Sequence, residues 1–365
     1  MDNMKALILA AGAGTRLAPL TNELPKPLMP VANRAVMSHI LRLLEKHNVK
    51  QCIANLHHLA DQIPAYFSQA HNSDLLLSYK YEPELTGDAG GMRACKSFLQ
   101  GGTFVVMMGD ILTDMDLSMV IHQHKAKRAL ATIALKRTDE VERFGIAALD
   151  NENYIVQFQE KPKREEALSD LGSTGCYVFE PEIFHYVSCQ GSYGFGRDLF
   201  PNLIHLGLPV LGVEVDCYWS DIGTICQYMQ SSFDVLDGQI DIDIDGTRDS
   251  FGWCGSNASM DTNCRINGKL LLGKNSRIEA NVSINGYAVI GDNCTIGAGS
   301  KIYNSIIWSG NFVACNSSIA NSIVYGSERV HILKSSAQLL AQNLSTAGSC
   351  RSSCNNSIDR PMEYA

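Results

Sequence analysis

Aliphatic residues return every six positions over one stretch of this chain, a period that no helix or simple strand pair has. Ile266, Leu272, Ile278, Ile284, Ile290, Ile296 and Ile302 keep the step, and after a one-residue slip Ile307, Val313 and Ile319 resume it. Two positions before the first seven stand Cys264, Leu270, Ser276, Val282, Ala288, Cys294 and Ser300, mostly small side chains. Such a period fits a parallel β-helix, whose coils stack row on row and bury a core that no single repeat could form. Stacked coils end in open edges, so a homo-oligomer is expected.

The preceding part of the chain has a different texture. Lys5–Leu9 and Phe104–Met108 read as buried strands, residues 36–47 as an amphipathic helix, 117–127 as a helix and 129–136 as a strand. Strands alternating with helices predict an α/β domain over residues 1–235, built on a mostly parallel, Rossmann-like sheet with helices on both faces. Ligands of such sheets sit at the carboxyl ends of the strands. Residues 236–262 read as a linker, 263–332 as the hexapeptide-repeat domain and 333–365 as a partly disordered tail with a short helix near Gln338. Within the linker, Ile240 to Gly246 begins like a calcium loop, but Gly252 stands where a bidentate Glu is required. Its Ile/Asp alternation predicts a half-buried strand with an acidic face instead.

Composition narrows the function. With 365 residues, 45% hydrophobic and 19% charged, the chain has the make-up of a soluble globular protein. A formal charge of -8 argues against nucleic acid as a partner. No apolar stretch approaches the roughly 18 residues that cross a membrane, so no membrane partner is expected. Met1 to Lys5 lacks the pattern of a signal peptide, and a cytoplasmic location is expected. The 12 cysteines form no C-x-x-C pair and read as reduced, mostly buried thiols.

The residues that carry chemistry follow the first strand. Leu9-Ala10-Ala11-Gly12-Ala13-Gly14-Thr15-Arg16-Leu17 leads through Thr21 to Pro25-Lys26-Pro27-Leu28. A glycine-rich turn after a strand lets backbone N–H groups approach an anion closely. The segment is neither a P-loop nor a dinucleotide fingerprint, since no G-K-[ST] follows and Leu17 stands in the place of the third glycine. Arg16 and Lys26 add a guanidinium suited to bidentate phosphate contact and a compact charge for a reacting phosphorus. Backbone donors plus two cations are what a polyphosphate requires.

Here the chain resembles the sugar-1-phosphate nucleotidylyltransferases, whose signature is G-x-G-T-R-L-x-P-L-T followed by P-K-P-L. Further segments match in the family's order. They are Val106-Met107-Met108-Gly109-Asp110, Phe144-Gly145, Gln159-Glu160-Lys161-Pro162, Thr174-Gly175-Cys176-Tyr177 and Tyr218-Trp219-Ser220-Asp221-Ile222-Gly223-Thr224. The similarity is greatest to mannose-1-phosphate guanylyltransferase-like proteins, and it implies a left-handed parallel β-helix at the C-terminus.

The resemblance also implies a reaction and its residues. A sugar-1-phosphate oxygen attacks the α-phosphorus of a nucleoside triphosphate and pyrophosphate leaves, with Arg16 and Lys26 as catalytic cations. Leu9, Ala11, Gly12, Gly14, Thr15, Arg16, Glu82, Gly87 and Asp88 would bind the nucleotide. Gly145, Glu160, Lys161, Thr174 and Gly175 would bind the sugar phosphate, and Asp110 and Asp221 would hold Mg2+. Plainer readings exist: Asp110 as a helix cap, Asp221 in a turn, Glu160 and Lys161 as a solvated pair. His122 and His124 point to different faces of one helix, and His57-His58 reads as structural.

Residues 82–91 resemble the family's base-reading loop, E-x-L-G-T-A-G, with Asp88 in place of Thr. Guanine presents adjacent N–H donors that a carboxylate from Glu82, Glu84 or Asp88 could accept. GTP is therefore the favoured nucleotide, and the resemblance implies mannose-1-phosphate as the favoured sugar phosphate. The alternatives are glucose-1-phosphate or a heptose-phosphate with ATP, UTP or dTTP, and, in another class, an inactive regulatory or scaffolding homologue.

Overall fold

A computed structural model describes residues 4–70, 73–332 and 356–359. The chain packs as two compact units, Met1–Leu28 with Val36–Asp221, and Met29–Ala35 with Ile222–Ala365. Among the described residues, no helix is long and apolar enough to cross a membrane.

The first unit is built on nine strands: β1 Lys5–Leu9, β2 Gln51–Leu56, β3 Leu76–Tyr81, β4 Phe104–Met108, β5 Ala131–Arg137, β6 Gly145–Leu149, β7 Ile155–Glu160, β8 Leu171–Phe179 and β9 Val210–Glu214. Their path is β7-β6-β8-β4-β1-β2-β3, with β5 pairing β8 and β9 pairing β5. The β4-β1-β2-β3 half is parallel, as is β9 on β5. Strand β8 runs antiparallel to β4, β5 and β6, and β7 antiparallel to β6. The expected mostly parallel sheet is thus a mixed one: β6 and β7 form a hairpin across a short connection, which favours antiparallel neighbours, and β8 runs against all the strands it pairs with. Strands β1, β4 and β8 are buried along nearly their whole length because both faces are covered, and β1 and β4 are correspondingly apolar.

Pairing at the carboxyl end of β1 and β4 positions the chemistry. Leu9 pairs with Met108, and the Gly109 amide donates to the Leu9 carbonyl at 2.9 Å. A Cβ on Gly109 would lie 2.8 Å from that carbonyl, so the close approach needs glycine. The Gly-rich turn after β1 and Asp110 after β4 are therefore neighbours. Cys176 on β8 pairs with Met107, which brings Thr174 and Gly175 alongside. A short antiparallel pair, Ile111–Thr113 with Trp219–Asp221, sets Asp221 opposite Ile111.

The second unit explains the six-residue period. Arg265–Leu272 pairs in parallel with Ser283–Ile290, and that strand with Lys301–Ile307. Ile266 thereby stacks on Ile284, Ile302 and Ile319, and Leu272 on Ile290, Ile307 and Val324. A second face stacks Met260, Ile278, Ile296 and Val313. Three six-residue steps make one coil, which is why rows of like residues fall on each other. The slip after Ile302 is a shortened corner: the register shifts between Asn285 and Ala288, where Asn304 stands opposite two residues. Corners are supplied by left-handed asparagines such as Asn257, Asn275, Asn293 and Asn316.

Two expectations do not match. Residues 240–246 form no strand, and Arg34 instead donates to the Asp243 carbonyl at 3.0 Å and pairs with Asp245 at 2.5 Å. Cys226 is disulfide-bonded rather than reduced, whereas nine other described cysteines are free. The expected helix near Gln338 lies outside the described residues. Within the tail, Asn356–Asp359 pairs as an antiparallel strand with Glu328–Ile332.

His124 is structural. Its ring is fully enclosed, with Nδ1 2.7 Å from the Thr132 hydroxyl and Nε2 3.1 Å from Glu180 Oε1. Burial lowers its pKa from the ordinary 6.5, with Glu180 pulling the other way. The unfolded chain therefore takes up this proton first, so the contribution is complete above pH 6.5 and is lost as pH falls towards the lower folded value. Thermal melts between pH 7.5 and 5 should show Tm falling below pH 6.5. His124→Gln should flatten that fall, and an unchanged pH slope in the variant would remove His124 as its source.

Candidate functional site

Two adjoining cavities open at the carboxyl ends of β1 and β4. Leu9, Ala11, Gly12, Lys26, Glu82, Gly87, Asp88 and Asp110 help line the first. Gly145, Glu160, Lys161, Thr174, Gly175 and Asp221, with Arg16, help line the second. Met108, Asp88 and Asp110 belong to both walls. A ligand with two parts can thus lie across one junction.

The first cavity is organised by a residue the sequence reading missed. Asn55, buried at the end of β2, accepts from the Ala10 amide at 2.8 Å and donates to Glu82 Oε1. The Thr86 hydroxyl donates to Glu82 Oε2 at 3.0 Å. Glu82 therefore spends both oxygens on holding the loop. Its available signal was a lone polar side chain closing an aliphatic strand.

Gly12 differs from most other glycines of the site. A Cβ built there meets nothing within 4 Å, so the protein's own packing does not require the missing side chain. A bare backbone beside a cavity is a cradle for something else. Gly14 lies in the left-handed region at φ 63° and its carbonyl accepts from the Thr21 hydroxyl at 3.0 Å, so it shapes the turn. Gly14 and the exposed Thr15 lie outside the residues that line either cavity. Arg16 lines the second cavity, away from the first.

In the second cavity glycines are needed for space. A Cβ on Gly145 would stand 2.3 Å from the Phe158 ring, and one on Gly175, at φ 77°, 2.7 Å from Met108. Trp219 donates its indole N–H to the Thr174 carbonyl at 2.8 Å and packs on Phe144 at 4.6 Å. Lys161 is exposed, holds a left-handed backbone at φ 50° and lies 3.5 Å from Glu160. That pair alone contributes little to stability, as an exposed ion pair should.

Asp88 joins the two cavities. Its Oδ1 accepts from the Phe195 amide at 2.6 Å and the Ala89 amide at 2.7 Å. Burial lifts its pKa above the usual carboxylate range against those two bonds, and Glu160 adds to the rise.

The charges converge. Lys26 is bonded to Asp110. Asp221 pairs with Arg143 at 2.6 Å, and Arg143 also holds Glu140 at 2.7 Å. Burial raises the Asp221 pKa, Arg143 opposes the rise, Asp110 adds to it, and Lys26 and Arg16 lower it. Asp221 therefore feels both Asp110 and the two basic residues of the N-terminal motif. Among the described residues, no three His, Cys, Asp or Glu side chains converge as a self-sufficient metal cage. Two neighbouring carboxylates beside a bare backbone cradle do fit a Mg2+ ion, which keeps waters and takes its other ligands from phosphate.

Comparisons with known proteins give the family. The nucleotidyl transferase family profile matches residues 5–238, and the bacterial transferase hexapeptide profile, of six repeats, matches residues 270–304. A UTP–glucose-1-phosphate uridylyltransferase of Synechocystis sp. (strain ATCC 27184 / PCC 6803 / Kazusa) is 36% identical over 88% of this chain and 87% of its own length. A mannose-1-phosphate guanylyltransferase of Mycobacterium tuberculosis (strain ATCC 25618 / H37Rv) is 30% identical over 64% of this chain and 65% of its own. Among solved structures, a putative glucose-1-phosphate thymidylyltransferase from Bacillus anthracis covers 66% of this chain and 96% of its own. Its TM-score of 0.58 at 24% identity is a likeness of fold.

The Gly12 cradle makes a direct prediction. Gly12→Ala should melt within about 2 °C of the native protein, since the methyl meets nothing. Calorimetric titration with a non-hydrolysable nucleoside triphosphate should nevertheless show binding weakened about tenfold or more, the equivalent of about 1.4 kcal/mol. Unchanged affinity would mean that no ligand approaches that backbone.

Proposed function

The chain belongs to the nucleotidyl transferase family and is a sugar-1-phosphate nucleotidyltransferase, and within that class we propose how its own residues act. The triphosphate lies along the turn after β1, where backbone amides near Ala11 and Gly12 face its oxygens. Lys26 leaves Asp110 for the α-phosphate, and Arg16 meets the departing pyrophosphate. The sugar phosphate lies in the second cavity near Lys161, with its hydroxyls towards Glu160, Thr174 and the Gly145 and Gly175 backbones. Attack by its phosphate oxygen on the α-phosphorus forms one P–O bond as the bond to pyrophosphate breaks. Positioning and charge stabilisation suffice for such a transfer. Asp110 and Asp221 would hold Mg2+, which supplies neutralisation of charge building on the phosphate oxygens. The observation that carries this reading is the shared wall, with Asp110 common to both cavities.

For the substrates we propose UTP with glucose-1-phosphate as the first pair, supported by the relative that spans 88% of this chain. The carboxylate argument for guanine loses weight, because Glu82 is bonded to Asn55 and Thr86 and Glu84 lines neither cavity. GTP with mannose-1-phosphate keeps the support of the Asp88 carboxylate on the wall of the first cavity and of the relative that is 30% identical over 64% of this chain. A left-handed coil and a homo-oligomer are further proposals for the second unit, the latter supported by the exposed Phe312 and Tyr303. A purely scaffolding role is disfavoured, since Arg16, Lys26, Asp110, Lys161 and Asp221 are all retained.

Pyrophosphate release, assayed over ATP, GTP, UTP and dTTP crossed with glucose-1-phosphate and mannose-1-phosphate, tests both levels. Turnover should need both substrates and be fastest with UTP and glucose-1-phosphate; silence with every pair would defeat the catalytic assignment. Asp110→Ala should lower kcat by about 10²–10³-fold with the fold intact, on the scale seen when a charge-stabilising group is removed. Asp88→Thr should shift the ratio between UTP and GTP, and an unchanged ratio would exclude Asp88 from base choice.

A further inference from the structure

The charge network around Asp221 contains a residue without a part in the reaction so far. Arg143 reaches Asp221 Oδ1 with Nη2 at 2.6 Å and Glu140 Oε2 with Nη1 at 2.7 Å. All three side chains are largely enclosed, at 16% exposure for Arg143, 17% for Asp221 and 23% for Glu140. The guanidinium lies 5.3 Å from the Phe144 ring, which packs against Trp219, two residues before Asp221 in the same strand. Arg143 also lines the second cavity with Lys161. Lys26 makes the matching pair with Asp110.

Each aspartate is thus neutralised from within. A second cation approaching Asp221 must displace a guanidinium that is itself held in a fork between two carboxylates. A phosphate in the same cavity offers that guanidinium another partner, one whose geometry it can match bidentately. We propose that Arg143 is a placeholder, occupying Asp221 until phosphate draws it away and leaves the carboxylate to a divalent cation. Glu140 is its tether, sharing the guanidinium and lowering the cost of releasing Asp221. The inference rests on the reading of Asp221 as a metal carboxylate and assigns positioning roles to Arg143 and Glu140.

The test is Mn2+ binding to the nucleotide-free protein, followed by loss of the free-ion electron paramagnetic resonance signal. Arg143→Gln should tighten binding about fivefold or more, the effect of removing one competing charge near a solvent-facing site. Glu140→Gln should act in the opposite sense and weaken it, because the guanidinium then has Asp221 as its main partner. Arg143→Lys, which keeps the charge, should stay near the native value. Circular dichroism checks that each variant is folded, and if Arg143→Gln fails that check, Glu140→Gln and Arg143→Lys decide. Looser or unchanged binding in Arg143→Gln, or tighter binding in Glu140→Gln, overturns the placeholder. Asp221→Asn separates the two ideas: if it leaves Mn2+ binding untouched, the metal reading of Asp221 fails. If it abolishes binding while the Arg143 variants behave like native protein, only the placeholder fails.

Discussion

Like charges set the terms for this protein. Asp110 and Asp221 arrive from strands distant in sequence, and burial together with mutual repulsion pushes the Asp221 carboxyl upward. Two unpaired carboxylates in so enclosed a place would be costly. Lys26 and Arg143 make the arrangement tolerable, one for each aspartate. The same cations are what a phosphate would attract. A resting state stabilised by internal pairs is thus already prepared to exchange them for substrate.

Backbone architecture delivers these groups to one place. The Leu9–Met108 pairing joins the glycine turn to Asp110, and the antiparallel contact of Asp221 with Ile111 adds the second carboxylate. Asn55 ties the turn to Glu82 and so to the loop that carries Asp88. Asp88 in turn is fixed by the Phe195 amide. Hydrogen bonds thus hold the turn to the loop whose Asp88 stands on the walls of both cavities.

How much was legible in the sequence depended on range. Lys5–Leu9, Phe104–Met108 and the helix at Val36–Lys46 were readable, because apolar runs and helical spacing are local signals. The six-residue rows were readable for the same reason, down to the slip after Ile302. Strand direction was not, since a strand buried on both faces, as β8 is, looks the same in sequence whether its neighbours are parallel or antiparallel. The Ile/Asp alternation at 240–245 reported half-burial faithfully but carried no information about a partner. Motif residues such as Lys26, Asp110 and Glu160 could be named because the segments that carry them resemble the family's motifs. Asn55 and Arg143 could not, because their importance lies in partners 27 and 78 positions away. An arginine directly before Phe144-Gly145 was the one hint available for the latter.

The stack of coils in the second unit ends in a reversal. Ser322–Tyr325 lies parallel on Lys301–Ile307, but Glu328–Ile332 folds back antiparallel on it, and Asn356–Asp359 follows as another antiparallel layer. A strand that runs the wrong way cannot template another turn of the spiral. On that face the domain is terminated, and head-to-tail growth into a filament is blocked where an open rung would invite it.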